Sequence, residues 1–137
     1  MKNPRILLID DEVAFANNLQ KLLSKRGYDV IVAYSGSDAL NIVGENEFDV
    51  IILDMKMPEM NGIATLKKIK QKTPHVEVVI LTGHGSIESG IEGMQLGAFD
   101  FLIKPVRIDD LQEKVSEAYR RKRLFEKKEN PKLSRRE

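Results

Sequence analysis

The sequence contains no cysteine. Disulfides and thiolate metal sites are therefore excluded, and a reducing compartment suits the chain. It also lacks any apolar run approaching the roughly 20 residues of a membrane-spanning helix. The opening stretch MKNPRILLIDDE turns acidic too soon for a secretion signal. No G-x-x-x-x-G-K-[ST] phosphate-binding loop is present, so an ATPase built on that loop is not expected within these residues. Low-complexity segments and internal repeats are absent as well. Net charge is nearly absent, +1 over 137 residues, but that figure hides a division. Residues 120–137 hold nine Lys/Arg against three Glu, whereas residues 1–119 hold 13 basic against 18 acidic residues. The body is acidic and the tail basic.

What is present is an ordinary soluble composition, 42% hydrophobic and 31% charged, in a length that suits one domain. Five short apolar runs recur: RILLID (5–10), YDVIVA (28–33), DVIILD (49–54), VEVVILT (76–82) and FDFLIK (99–104). Their β-branched character and length read as buried strands. Each is followed by a segment of helical period. Val13, Leu19, Leu22 and Leu23 mark the first, which Gly27 stops. Ser35 or Ser37 can cap the second, which carries Ala39, Leu40 and Val43. Ile63, Leu66 and Ile69 mark the third, ended by Pro74. Ile87, Ile91 and Met94 mark the fourth, ended by Gly97. Ile108, Leu111, Val115 and Ala118 open the fifth, with Asp109 and Asp110 in its first turn, where the helix dipole favours them. This last helix is expected to run past Tyr119 until Asn130-Pro131, with disorder beyond Lys132. Five alternations of strand and helix predict an α/β domain built on a parallel sheet covered on both faces.

Ligands of open parallel sheets bind beyond the carboxyl ends of the strands. At those ends lie Asp10 and Asp11 after the first strand, Asp54 after the third, Thr82 after the fourth and Lys104, followed by Pro105, after the fifth. Each alone has a plain explanation. Asp10-Asp11-Glu12 is a helix cap, Asp54 and Thr82 are turn residues, and Lys104 is a solvated strand end. Together they place three carboxylates, a hydroxyl and an ammonium on one sheet edge. Clustered carboxylates suit a hard cation such as Mg²⁺. A carboxylate beside it can attack a phosphoryl group and form an acyl phosphate, whose remaining oxygens the lysine and the threonine can neutralise.

These residues carry a resemblance. ILLIDDE (6–12), ILDMKMPEMNG (52–62), VILTGHGS (79–86) and GAFDFLIKP (97–105), in this order and spacing, resemble the receiver domain of two-component response regulators over residues 4–119. The stretch from Leu81 to Pro105 is most similar to receivers of transcriptional activators that depend on an alternative sigma factor. The resemblance implies a flavodoxin-like (βα)5 fold with strand order 2-1-3-4-5, a receiver over 1–119 and a basic helical extension with a disordered tail over 120–137. It implies a cytoplasmic signalling switch rather than a conventional enzyme, phosphorylated by a sensor histidine kinase and catalysing its own phosphoryl transfer and dephosphorylation. Asp54 would be the phosphoacceptor. Asp11 would ligate Mg²⁺ directly, Asp10 mainly through water, and the Lys56 carbonyl would add a further ligand. Lys104 would bind the phosphoryl group, Thr82 would be the switch hydroxyl and Phe101 the switch aromatic. Lys56 and His84 would tune the phosphoryl lifetime. Pro58 stiffens the loop after Asp54, Gly62 relaxes it before the next helix, and the Lys104-Pro105 bond is often cis in this family.

The output surface would be the face of the fourth helix, fifth strand and fifth helix, a possible homodimer contact. On phosphorylation Phe101 would rotate inward and Ile87, Ile91 and Met94 would repack. Gly90 and Gly93 each weaken the fourth helix by about 1 kcal/mol relative to Ala, so their replacement by Ala is expected to stabilise the protein; the alternative is that the glycines only permit close helix–sheet approach. The fifth helix also fits an a/d heptad pattern, with Lys122 at a and Phe125 at d, which offers a coiled coil as a second route to a dimer, although packing of Ile108, Leu111, Val115 and Ala118 on the sheet explains the pattern more simply. Two other functions compete. A haloacid-dehalogenase-like phosphatase would carry Asp-x-Asp on the first strand, whereas here the aspartates are adjacent and the lone candidate nucleophile is on the third. A nucleic-acid binder would use RRKR (120–123), but no recognition motif accompanies it, and a solvated helix end or linker explains it more simply. No membrane partner is expected.

Overall fold

A computed structural model describes residues 3–55, 62–83 and 87–129. Strands β1 (Arg5–Ile9), β2 (Asp29–Ala33), β3 (Val50–Asp54), β4 (Glu77–Thr82) and β5 (Asp100–Ile103) alternate with helices α1 (Val13–Lys25), α2 (Gly36–Glu45), α3 (Gly62–Lys72), α4 (Ile87–Gln95) and α5 (Ile108–Glu129). All pairings are parallel, and the sheet order is β2-β1-β3-β4-β5. The flavodoxin-like topology expected from the sequence is the one observed.

The continuous apolar runs feed two cores, because alternate residues of a strand point to opposite faces. Leu7, Ile9, Ile51, Leu53, Val78 and Ile80 face one side, where α2 and α3 contribute Ala39, Val43, Leu66 and Ile69. Ile6, Leu8, Val50, Ile52, Val79 and Leu81 face the other, against Ala16, Leu19 and Leu23 of α1 and Leu111, Val115 and Ala118 of α5. Ser35 caps α2 by accepting the Asp38 N–H at 3.1 Å. Gly27 and Gly97, with φ of +94° and +102°, take the left-handed conformation that stops α1 and α4.

The apolar residues of α4 lie at the surface: Ile87 and Ile91 are each 50% exposed and Met94 is 39% exposed. The helix instead lies on the sheet through Gly90 and Gly93, both buried. A Cβ on Gly93 would stand 2.1 Å from Ile80 Cδ1, and one on Gly90 would stand 2.7 Å from the Phe101 ring. The glycines allow close approach: alanine at either position requires Phe101 or Ile80 to shift, a steric cost set against the expected gain in helix propensity. Gly62 also has no left-handed φ. Its place is steric: a Cβ there would lie 2.4 Å from Met55 Cα, where the Gly62 N–H donates to the Met55 carbonyl. Finally, the basic segment of α5 is not simply solvated, since Arg121 and Lys122 turn toward the acidic body.

Candidate functional site

The strand order reverses between β1 and β3, and the candidate residues collect there, as expected for a doubly wound sheet. Ile9 pairs with Leu53, so the next residues, Asp10 and Asp54, stand side by side. Asp54 pairs with Leu81, which puts Thr82 one step further along β4. Thr82 pairs with Ile103, and Lys104 follows directly, its N–H donating to the Thr82 carbonyl at 2.7 Å. The Lys104-Pro105 bond is cis. Parallel register alone thus brings four polar residues from four strand ends together.

Asp10 is fully buried and Asp54 is 3% exposed. Isolated carboxylates at such depth are costly, and they are held by a shared cation. Lys104 Nζ lies 2.9 Å from Asp10 Oδ2, 3.2 Å from Glu12 Oε1 and 3.8 Å from Asp54 Oδ2. Its other side faces the Phe15 ring at 4.2 Å, a cation–π contact. Burial by itself lowers the lysine's pKa, but the hydrogen bond to Asp10, the charges of Asp54 and Asp10 and the bond to Glu12 together raise it above 10.5. The ammonium is firmly charged. Asp10 also accepts the Glu12 N–H at 2.9 Å through Oδ1, which fixes the turn into α1. Thr82 is 1% exposed, and its Oγ1 has no hydrogen-bond partner among the described residues. A buried hydroxyl without a partner is uncommon and marks a place where a polar group is missing.

Oxygens of Asp10, Glu12 and Asp54 all lie within 4.8 Å of one another. This is an all-oxygen donor set of the kind that suits Mg²⁺ or another hard cation. Asp11, expected as the direct ligand, is half-buried and does not belong to that group. Glu12 does belong, although the sequence offered it only as part of a cap. Its adjacency to two aspartates was the available signal; Glu12 stands at the N-cap of α1 but makes no side-chain cap bond, and its carboxylate instead meets Lys104. Phe101 is half-buried on β5 against the α2–α3–α4 core and beside Gly90. Lys56, Pro58 and His84 lie outside the described residues, as does the expected stop at Asn130-Pro131.

Residues 6–116 match the response regulator receiver domain family. The transcriptional regulatory protein ZraR of Salmonella typhimurium is 47% identical over 113 residues, covering 82% of this chain and 26% of that protein. The regulatory protein LuxO of Vibrio cholerae is 37% identical over 114 residues, covering 83% and 25%. The chain therefore spans about a quarter of the length of the curated relatives it matches. Among solved structures, a response regulator receiver domain protein from Clostridium thermocellum superposes with a TM-score of 0.85 at 44% identity, covering 88% of this chain and 98% of that one. A parallel sheet of order 2-1-3-4-5 with carboxylates, a threonine and a lysine at its switch point defines a flavodoxin-like α/β domain with a charged site at the carboxyl edge of its strands. The chain belongs to the response regulator receiver domain family.

Proposed function

We propose that this receiver accepts a phosphoryl group on Asp54 from the phosphohistidine of a sensor kinase and acts as a conformational switch for a transcriptional output. The observation that carries the reading is the buried pair of Asp54 and the Thr82 hydroxyl, which has no hydrogen-bond partner among the described residues, one strand apart, with Lys104 beside them. An Asp54 oxygen forms the new P–O bond while the donor's P–N bond breaks and its electron pair returns to the imidazole. The product is an acyl phosphate bearing roughly two negative charges at neutral pH, by analogy with other phosphorylated side chains. Lys104 moves from Asp10 and Glu12 toward the new oxygens, and the Thr82 hydroxyl donates to one of them, gaining the hydrogen bond it lacks. Asp10 and Asp54 would hold Mg²⁺, with Asp11, Glu12 and the Lys56 carbonyl as further oxygens near by. Bound there, the ion supplies charge neutralisation during transfer. The domain itself catalyses both the transfer and the later hydrolysis, with Lys56 and His84 setting the hydrolysis rate.

The output is read on the face formed by α4, β5 and α5. Thr82 ends β4, α4 follows it, and Phe101 sits under Gly90. Withdrawal of Thr82 leaves room into which Phe101 turns, and α4 rides on that ring. The exposed Ile87, Ile91, Met94 and Ile103 make this face apolar, which suits a second copy of the domain or another output surface. The curated relatives are named as regulatory proteins of transcription. The test is incubation with acetyl phosphate. Intact mass is expected to rise by one phosphoryl group in the presence of Mg²⁺ and not with chelator, and Asp54→Ala is expected to stay unlabelled. Labelling of that variant to the same extent overturns the assignment.

A further inference from the structure

At the end of the sheet opposite the phosphorylation site, the last turns of α5 meet two acidic residues. Glu77 opens β4 and is 2% exposed. Arg121 grips its carboxylate with two nitrogens, Nε and Nη2, the second at 2.8 Å. The same guanidinium lies 4.7 Å over the Phe99 ring. One residue on, Lys122 Nζ reaches Asp49 Oδ1 at 3.0 Å and also binds Glu126 on its own helix. Asp49 in turn accepts the Arg5 N–H at 2.8 Å through its other oxygen. Phe125 stacks on His75 with ring centroids 6.1 Å apart. Each contact joins the helix extension to a different part of the body: β4, the start of β3 and the loop after α3.

We propose that Glu77 and Asp49 form an acidic dock for the basic segment 120–126 of α5, latching the helix extension to the receiver body as one rigid unit. A buried carboxylate cannot release a bidentate partner without a large cost, because the charge is left uncompensated. Lys70, the other cation near Glu77, is held by the Pro74 and Val76 carbonyls at 3.0 and 2.9 Å. Burial depresses its pKa, and the nearby Arg121 charge adds to that, against the opposing pull of Glu77. Arg121 is thus the cation that completes the site. The heptad positions Lys122 and Phe125 are engaged within the same chain, so the latch competes with a coiled coil through them. β4 carries this dock at one end and Thr82 at the other.

The latch does not depend on phosphoryl chemistry, and hydrogen exchange on the full unphosphorylated chain tests it. Amides of 119–129 are expected to exchange slowly, at rates independent of protein concentration. Glu77→Gln, which keeps shape but removes the charge, is expected to speed exchange across 120–129 by about tenfold or more while leaving strands 5–9 and 50–54 unchanged. Lys122→Met, which keeps the apolar stem and is safe for folding, is expected to give a smaller increase of about threefold in the same segment. Extension amides that exchange like a frayed helix in the wild type overturn the proposal. So does protection that grows with concentration, or a rate within about twofold of wild type in both variants.

Discussion

Lys104 is shared unequally among three carboxylates, and that inequality makes its role testable. Its closest partners are Asp10 and Glu12, with Asp54 farthest at 3.8 Å. Lys104→Met strands two buried carboxylates. The expected loss is roughly 1–3 kcal/mol, below the usual cost of breaking a buried pair because Glu12 and part of the lysine remain solvated. The same variant is expected to gain more melting temperature from millimolar Mg²⁺ than the wild type does, since no ammonium then competes for the oxygens. The pH dependence has a definite sign. The folded lysine's pKa is raised above 10.5, so its contribution is fully present below 10.5 and is lost as pH rises through the raised value. Thermal scans are expected to show an alkaline decline that is shallower in Lys104→Met. Thr82 behaves oppositely. Its hydroxyl is buried without a partner among the described residues, so Thr82→Val is expected to stabilise the unphosphorylated protein by about 1 kcal/mol in denaturant titration. The response of residues 87–103 to phosphorylation is expected to disappear in that variant. The positions of Asp10, Asp54, Thr82 and Lys104 on one edge were legible because each ends or directly follows a strand of a parallel sheet. Glu12 was less so, because a carboxylate in the first turn of a helix has a sufficient explanation in capping.

Helix α4 shows why an element can be found in a sequence and its orientation misread. Ile87, Ile91 and Met94 repeat at helical spacing, and that spacing predicts a buried stripe. The sheet surface beneath is already filled by Ile80 and Phe101, so the helix comes close only where it has no side chains, at Gly90 and Gly93. The stripe is therefore left outside. Periodicity reports a face, and it does not report which neighbour covers it. Gly93→Ala is expected to destabilise by about 1 kcal/mol net, an overpacking cost of roughly 1–3 kcal/mol offset by up to about 1 kcal/mol of helix propensity. Equilibrium unfolding measures it, and a more stable variant contradicts the close-packing account. Gly62 teaches the same lesson at a loop: its need is the 2.4 Å approach to Met55 Cα, a distance between residues seven apart that no local pattern announces.

On the scale of the whole molecule, five apolar runs and five helical periods were enough to specify a parallel sheet covered on both faces, whereas the strand order 2-1-3-4-5 came from the resemblance to receiver domains and is the order observed. No helix among the described residues is long and apolar enough to cross a membrane. The division between acidic body and basic tail was visible as composition, but its meaning required three dimensions. Arg121 and Lys122 meet Glu77 and Asp49 across 44 and 73 residues of sequence. The fold consequently has two charged ends: one where a lysine is poised among carboxylates at the switch point, and one where basic residues of α5 complete an acidic dock. The central claim concerns the first. It is tested most directly by phosphorylating the protein with acetyl phosphate and Mg²⁺, trapping the acyl phosphate with borohydride and locating the modified residue by peptide mass spectrometry. Reduction converts a phosphorylated aspartate to homoserine. The account predicts homoserine at position 54 and unmodified carboxylates at Asp10, Asp11 and Glu12; reduction at any of those three, or none at 54 in a labelled sample, would contradict it.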